Sequence, residues 1–123
     1  MLTKKSKIPN LQASIIDIAV EAWRFKNVFS SALSKLEITE SNRYLNQYLY
    51  FFKKVESALE NAELKIVNVE GKEYDIGLPI TPLNIDEFSQ DDKLIIEQML
   101  EPIIMKSGKV IKNGTVILRR IDQ

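Results

Sequence analysis

The amino-acid pattern predicts an α+β chain, with a long helical hairpin over residues 1–63 and a small all-β domain over residues 64–123. Three observations carry this expectation. Leu11, Ile15, Ile18, Ala22, Phe25, Phe29, Ala32 and Leu36 recur in steps of 4-3-4-3-4-3-4, an a/d seam held over more than three heptads. Leu45, Tyr48, Phe52, Val55, Leu59 and Ala62 repeat the same spacing. At Leu64 the period drops to two, and Lys65-Ile-Val-Asn-Val69 alternates with β-branched residues.

Pro9-Asn10 reads as the opening of the first helix, with Asn10 as its N-cap, and the pattern runs to about Leu36. Lys4, Lys5 and Lys7 read as a solvated tail. Ile16, Val20, Trp23, Val28 and Leu33 are apolar off the strict seam. A two-stranded zipper leaves such positions polar, so a bundle covering more than one stripe is expected. Thr39 or Ser41 caps a second helix over roughly 42–63. A short connection between long amphipathic helices favours an antiparallel hairpin. Two hairpins pairing into a four-helix bundle make a homodimer, with Ile15, Ile18, Phe25, Phe29, Leu45 and Phe52 as its contacts. The alternative is a monomer whose helices fold onto its own sheet. Tyr44, Tyr48, Tyr50, Phe51 and Phe52, like Trp23, read as core.

Beyond the first strand, Glu70-Gly71-Lys72 supplies a turn and Glu73-Tyr74-Asp75 an antiparallel return. Pro79 and Pro82 argue for an extended loop over residues 77–82. The acidic stretch 84–92 reads as a solvated connection. Residues 94–120 read as a hairpin or meander, with Leu94–Leu100 a strand or short helix and Pro102 an edge, a bulge or a strand start. Either Asn113-Gly114 or Ser107-Gly108 makes the tight turn, and the pattern leaves both open.

Composition excludes several functions. Basic and acidic residues number 17 each, so there is no excess charge for a general nucleic-acid or membrane-surface binder. Cys and His are both absent, which removes thiol chemistry, thiolate zinc sites and the commonest general base. No enzyme activity and no cofactor are expected. No secretory signal or membrane span is visible, so a cytoplasmic location is expected. From Leu64 to Met105 three lysines face nine acids; from Lys106 to Gln123 five basic residues face one acid. Either the two stretches neutralise each other across a small sheet, or the basic end is a partner surface.

Three segments resemble the GrpE family, the nucleotide-exchange co-chaperones of DnaK-type ATPases. Phe52-Lys-Lys-Val-Glu-Ser-Ala-Leu59, Leu64–Val69 and Glu70-Gly-Lys-Glu-Tyr-Asp75 are similar to the family's run of helix, short strand, Gly turn and aromatic-Asp. Ile96–Met105 resembles its long β-domain strand, and Ser107-Gly-Lys-Val-Ile-Lys112 with Val116-Ile-Leu118 its turn and closing strand. The family's Arg after the turn glycine is here Lys109, which keeps the charge and loses the planar fork. The resemblance implies a dimer whose β domain wedges open the nucleotide-binding domain of a DnaK-type chaperone, so that ADP leaves faster. It places Leu100 and Lys109, and with them Met99 and Lys112, on the partner-binding surface. The competing expectation is a non-catalytic helical-dimer adaptor or structural subunit of a larger complex.

Overall fold

The computed structural model describes residues 2–121, with side chains from residue 11 onward. The chain divides into two compact units, Met1–Leu64 and Lys65–Gln123. The first holds two helices, α1 (Leu2–Leu33) and α2 (Ile38–Asn61). The second is built on six strands: β1 (Leu64–Val67), β2 (Ile80–Pro82), β3 (Leu94–Glu101), β4 (Ile103–Lys106), β5 (Lys109–Lys112) and β6 (Gly114–Arg120). The class is therefore α+β, as the two hydrophobic periods require. Among the described residues no helix is long and apolar enough to cross a membrane.

Both helices are displaced from their expected ends. α1 begins at Leu2, so Asn10 lies inside it and caps nothing. The side chains of Lys4, Lys5 and Lys7 lie outside those described. α1 stops at Leu33, short of Leu36. The Ser34 hydroxyl donates to the Ser31 carbonyl (2.6 Å), and the amides of Lys35 and Leu36 reach back three residues, which tightens and closes the last turn. α2 then starts at Ile38, four residues early. Its N-cap is Glu37, whose side chain makes no capping bond, so neither Thr39 nor Ser41 has that role.

The two helices pack as a hairpin, but not along the strict seam. Ala19, Val20, Ala22, Trp23 and Leu33 are the buried residues of α1. Of the seam, Ile15 and Phe29 are half-buried, while Leu11, Ile18 and Phe25 are exposed. From α2, Tyr48 and Leu59 are buried and Leu45, Phe52 and Val55 half-buried. Tyr48 stacks on Phe52 at 5.9 Å, and Phe52 meets Trp23 at 6.0 Å. Alanines at positions 19 and 22 leave room for these rings beside the α1 backbone. Each large side chain fully buried in this way contributes about 1.5–3 kcal/mol.

The Tyr48 hydroxyl donates to the Ala22 carbonyl at 2.7 Å, so this buried polar atom is satisfied. Burial pushes its pKa up to about 12 from the usual 10.0. The folded chain thus keeps the phenolic proton above pH 10, where the unfolded chain gives it up. Stability attached to this group is complete below about pH 10 and drains away as pH rises towards 12, on the order of 2 kcal/mol in total. Chemical denaturation between pH 9 and pH 12 checks this: the loss is expected in Tyr48 wild type and absent in Tyr48→Phe.

The β unit contains two three-stranded sheets, ordered β1-β4-β5 and β2-β6-β3. β3 and β6 pair antiparallel, and β2 joins β6 in parallel. The stretch expected as a loop thus supplies a strand. Pro82 is tolerated because β2 is an edge strand, where a missing donor need not break a ladder. Glu73–Asp75 does not return on β1; Glu73 instead bridges Ile95 of β3. Pro102 is buried where the chain leaves β3 in one sheet and enters β4 in the other. At the turn, Ser107 (φ 50°) and Gly108 (φ 80°) both adopt the left-handed region of a primed two-residue hairpin. Ser107-Gly108 is therefore the tight turn, and Asn113-Gly114 is the step from β5 to β6.

The core lies where the sheets approach. Ile96 and Met99 of β3, Ile103 and Ile104 of β4, and Val116 and Leu118 of β6 are each no more than 2% exposed. A Cβ on Gly114 would sit 2.7 Å from Met99 Cε, 3.0 Å from Ile103 Cγ1 and 3.1 Å from the Glu101 carbonyl oxygen. Only glycine allows the first residue of β6 to come so close. Asn84 locks the neighbouring loop by donating to the Leu118 carbonyl (2.8 Å) and accepting from the Leu118 amide (2.9 Å).

Candidate interaction surfaces

On the β unit, a register irregularity decides which side chains reach the surface. β3 pairs Ile96 with Leu118 and then Gln98 with Ile117, so a bulge adds one residue. Inward positions shift from Leu94 and Ile96 to Met99, where unbroken alternation would give Gln98. Met99, expected on the partner surface, is fully buried instead. Its sulfur accepts from the Val69 amide at 3.2 Å, and its own amide donates to the Glu70 carboxylate at 2.8 Å. Leu100, at a second register irregularity between Met99 and Glu101, is half-buried. The two cannot share one outward surface.

The turn behaves differently. Lys109 follows Gly108 directly, is exposed, and has no ion pair among the described residues. Lys112, at the far end of the same strand, is partly buried and bonded to Glu101 at 3.1 Å. Leu100 and Lys109 stand on strands of different sheets.

Much of the charge asymmetry is resolved inside the unit. Arg119 approaches Glu97 at 4.0 Å and Arg120 pairs with Asp92 at 3.1 Å, with Phe88 beneath the guanidinium at 5.4 Å. The Ser89 backbone amide and then the Arg120 guanidinium hold the Asp92 carboxyl below the usual carboxylate range. Three ion pairs therefore join acids of residues 64–105 to basic residues of 106–123, and Lys109 stands outside that set.

The second surface is on the helical hairpin. Leu11, Ile18 and Phe25 stand seven residues apart on α1 and are 64%, 65% and 50% exposed. Between them and α2 run three adjoining hollows of about 420, 270 and 260 Å³. Ile18, Phe25 and Phe51 are shared between them, so they form one apolar trough; Asp17 and Glu21 edge it from α1, and Lys54 from α2. Of the expected dimer contacts, Ile18 and Phe25 face this trough openly, while Ile15, Phe29, Leu45 and Phe52 are partly used within the hairpin. Exposed apolar patches of more than a few hundred Å² mark interaction sites.

Tyr44, Tyr50 and Phe51, expected in the core, are instead 37%, 66% and 47% exposed. The available signal was the run of aromatics itself: Tyr50, Phe51 and Phe52 are consecutive, and one helix face cannot bury three successive residues. Among the described residues no group of three or more His, Cys, Asp or Glu is placed to hold a metal ion. No protein-family model matches the chain, and no curated protein sequence or solved structure gives a significant match.

Proposed function

We propose that the chain is a GrpE-like co-chaperone, acting without covalent chemistry on a DnaK-type ATPase. The observation that carries this reading is the tight Ser107-Gly108 hairpin, which holds Lys109 exposed on a compact β unit. That turn is where the resemblance places the docking contact. The order of elements supports the reading as well, with paired helices first and a small β unit after them. In this proposal the trough of the hairpin receives a second copy, and the β unit docks on the nucleotide-binding domain with Lys109 and Leu100 at the contact. Met99 has no place in it, and Lys112 acts through its pairing with Glu101.

The mechanism is a population shift. The β unit binds the open form of the ATPase cleft better than the closed form, and ADP escapes from the open form. The coupling is reciprocal, so the chain must bind nucleotide-free ATPase more tightly than ADP-bound ATPase by the same factor that it weakens ADP. Titration calorimetry against both states tests this. A preference of tenfold or more is expected, and equal affinity rules the mechanism out. Lys109→Glu is expected to weaken binding about tenfold, ~1.4 kcal/mol, with the thermal midpoint unchanged. Unchanged affinity in that variant removes Lys109 from the surface.

A further inference from the structure

The open edge of β5 points to a different kind of partner. β5 is the last strand of the order β1-β4-β5, so one of its sides carries no strand. Lys106 and Lys109 flank the two-residue turn and lie directly opposite each other. In such a hairpin the flanking residues exchange their backbone hydrogen bonds across the pair. The N–H and C=O of the next residue, Val110, therefore point to the open side. Val110 and Ile111 are 40% and 39% exposed, and a register shift makes Ile111 the extra residue between the pairs Met105–Val110 and Ile104–Lys112. The edge thus offers main-chain groups at Val110, two exposed apolar side chains, and at the turn end Lys109, which has no ion pair among the described residues.

Charge selects the occupant. A second β5 laid on this edge brings two more lysines and no acid, and like charges on adjoining strands are destabilising. Lys109, already opposite Lys106, gains nothing from such a neighbour. A strand with an acidic residue beside Lys109 reverses the sign at the turn end, while Lys112 keeps its pairing with Glu101. We propose that the β5 edge takes, by strand addition, an extended peptide segment in which acidic residues flank β-branched apolar ones. Main-chain hydrogen bonds at Val110 hold the segment, and Lys109, Val110 and Ile111 select it. This inference does not rest on the exchange reading, because it requires neither an ATPase nor a dimer.

The test uses the full chain and a fluorescein-labelled peptide with two valines between glutamates and threonines outside them. Anisotropy gives the affinity, with a control peptide carrying lysine in place of glutamate. The acidic peptide is expected to bind at least tenfold more tightly than the control. Lys109→Glu is expected to cost it at least tenfold and to favour the lysine peptide. Val110→Pro removes the outward donor of an edge strand, where proline is tolerated, and is expected to abolish binding with the thermal midpoint kept. N-methylating alternate peptide amides tests the same bonds with the protein unaltered; one of the two alternations is expected to abolish binding. The proposal is overturned if the acidic peptide does not bind, if both peptides bind equally, or if neither Val110→Pro nor either N-methylated peptide weakens binding. It is equally overturned if light scattering shows self-association that Val110→Pro removes, since the occupant is then a second copy.

Discussion

Met99→Ala is expected to destabilise the β unit by about 2–4 kcal/mol and to lower its thermal midpoint by roughly 10–20 °C. Met99 is fully buried, and its sulfur holds the Val69 amide, so truncation opens a cavity and strands a donor. Leu100→Ala, one residue along and half-buried, is expected to cost less than half as much. The contrast separates a core residue from a contact residue. If Met99 faced a partner, its loss would leave the melt unchanged and reduce binding. Differential scanning calorimetry of both variants decides between the two.

Ile18→Asp is expected to halve the mass measured by light scattering, with helical content preserved. Ile18 is 65% exposed and lines two of the three hollows of the trough, so the isolated hairpin does not need it. Leu11, Ile18, Phe25, Val28, Tyr44 and Phe51 together expose on the order of 600 Å² of apolar surface, close to the ~800 Å² per partner of a standard interface. An aspartate at the centre of such a contact costs about 3 kcal/mol or more, over a hundredfold in Kd. Asp17 and Glu21 edge the trough from α1 and Lys54 from α2, so laying α1 on the α2 of a second copy sets acid against base. An unchanged mass in Ile18→Asp, or a monomeric wild type at tens of micromolar, removes the second copy from the trough.

The helices and the change of period at Leu64 were legible because each rests on a local pattern. A stripe repeating every three and four residues has no stable strand form, and Lys65–Val69 has no helical one. What the pattern did not reveal was non-local. The a/d spacing marked one apolar stripe, yet the partner helix settled to one side of its centre, over Ala19 and Trp23 as well as Ala22 of the stripe, because the small residues admit the rings of Tyr48 and Phe52. Pro82 argued against a strand, but the available ladder lies in parallel on β6, more than thirty residues away. Met99 was misplaced by the bulge between Ile96 and Gln98, which turns inward a side chain that unbroken alternation would turn outward. Two glycine-containing turns competed on equal terms, and Ser107 adopting a left-handed backbone decided between them. Lys109 became a candidate through the resemblance alone; the structure adds that it is exposed beside the Ser107-Gly108 turn.

Release of fluorescent ADP in a stopped-flow instrument tests most directly the proposed opening of a DnaK-type ATPase. The ATPase is loaded with the labelled nucleotide and mixed with excess unlabelled ATP and increasing amounts of the chain. The account predicts a saturable acceleration of tenfold or more that Lys109→Glu shifts to higher concentration and Met99→Ala abolishes above its melting point. A release rate unchanged at concentrations that saturate binding contradicts it, and leaves an adaptor that holds its partner without changing it.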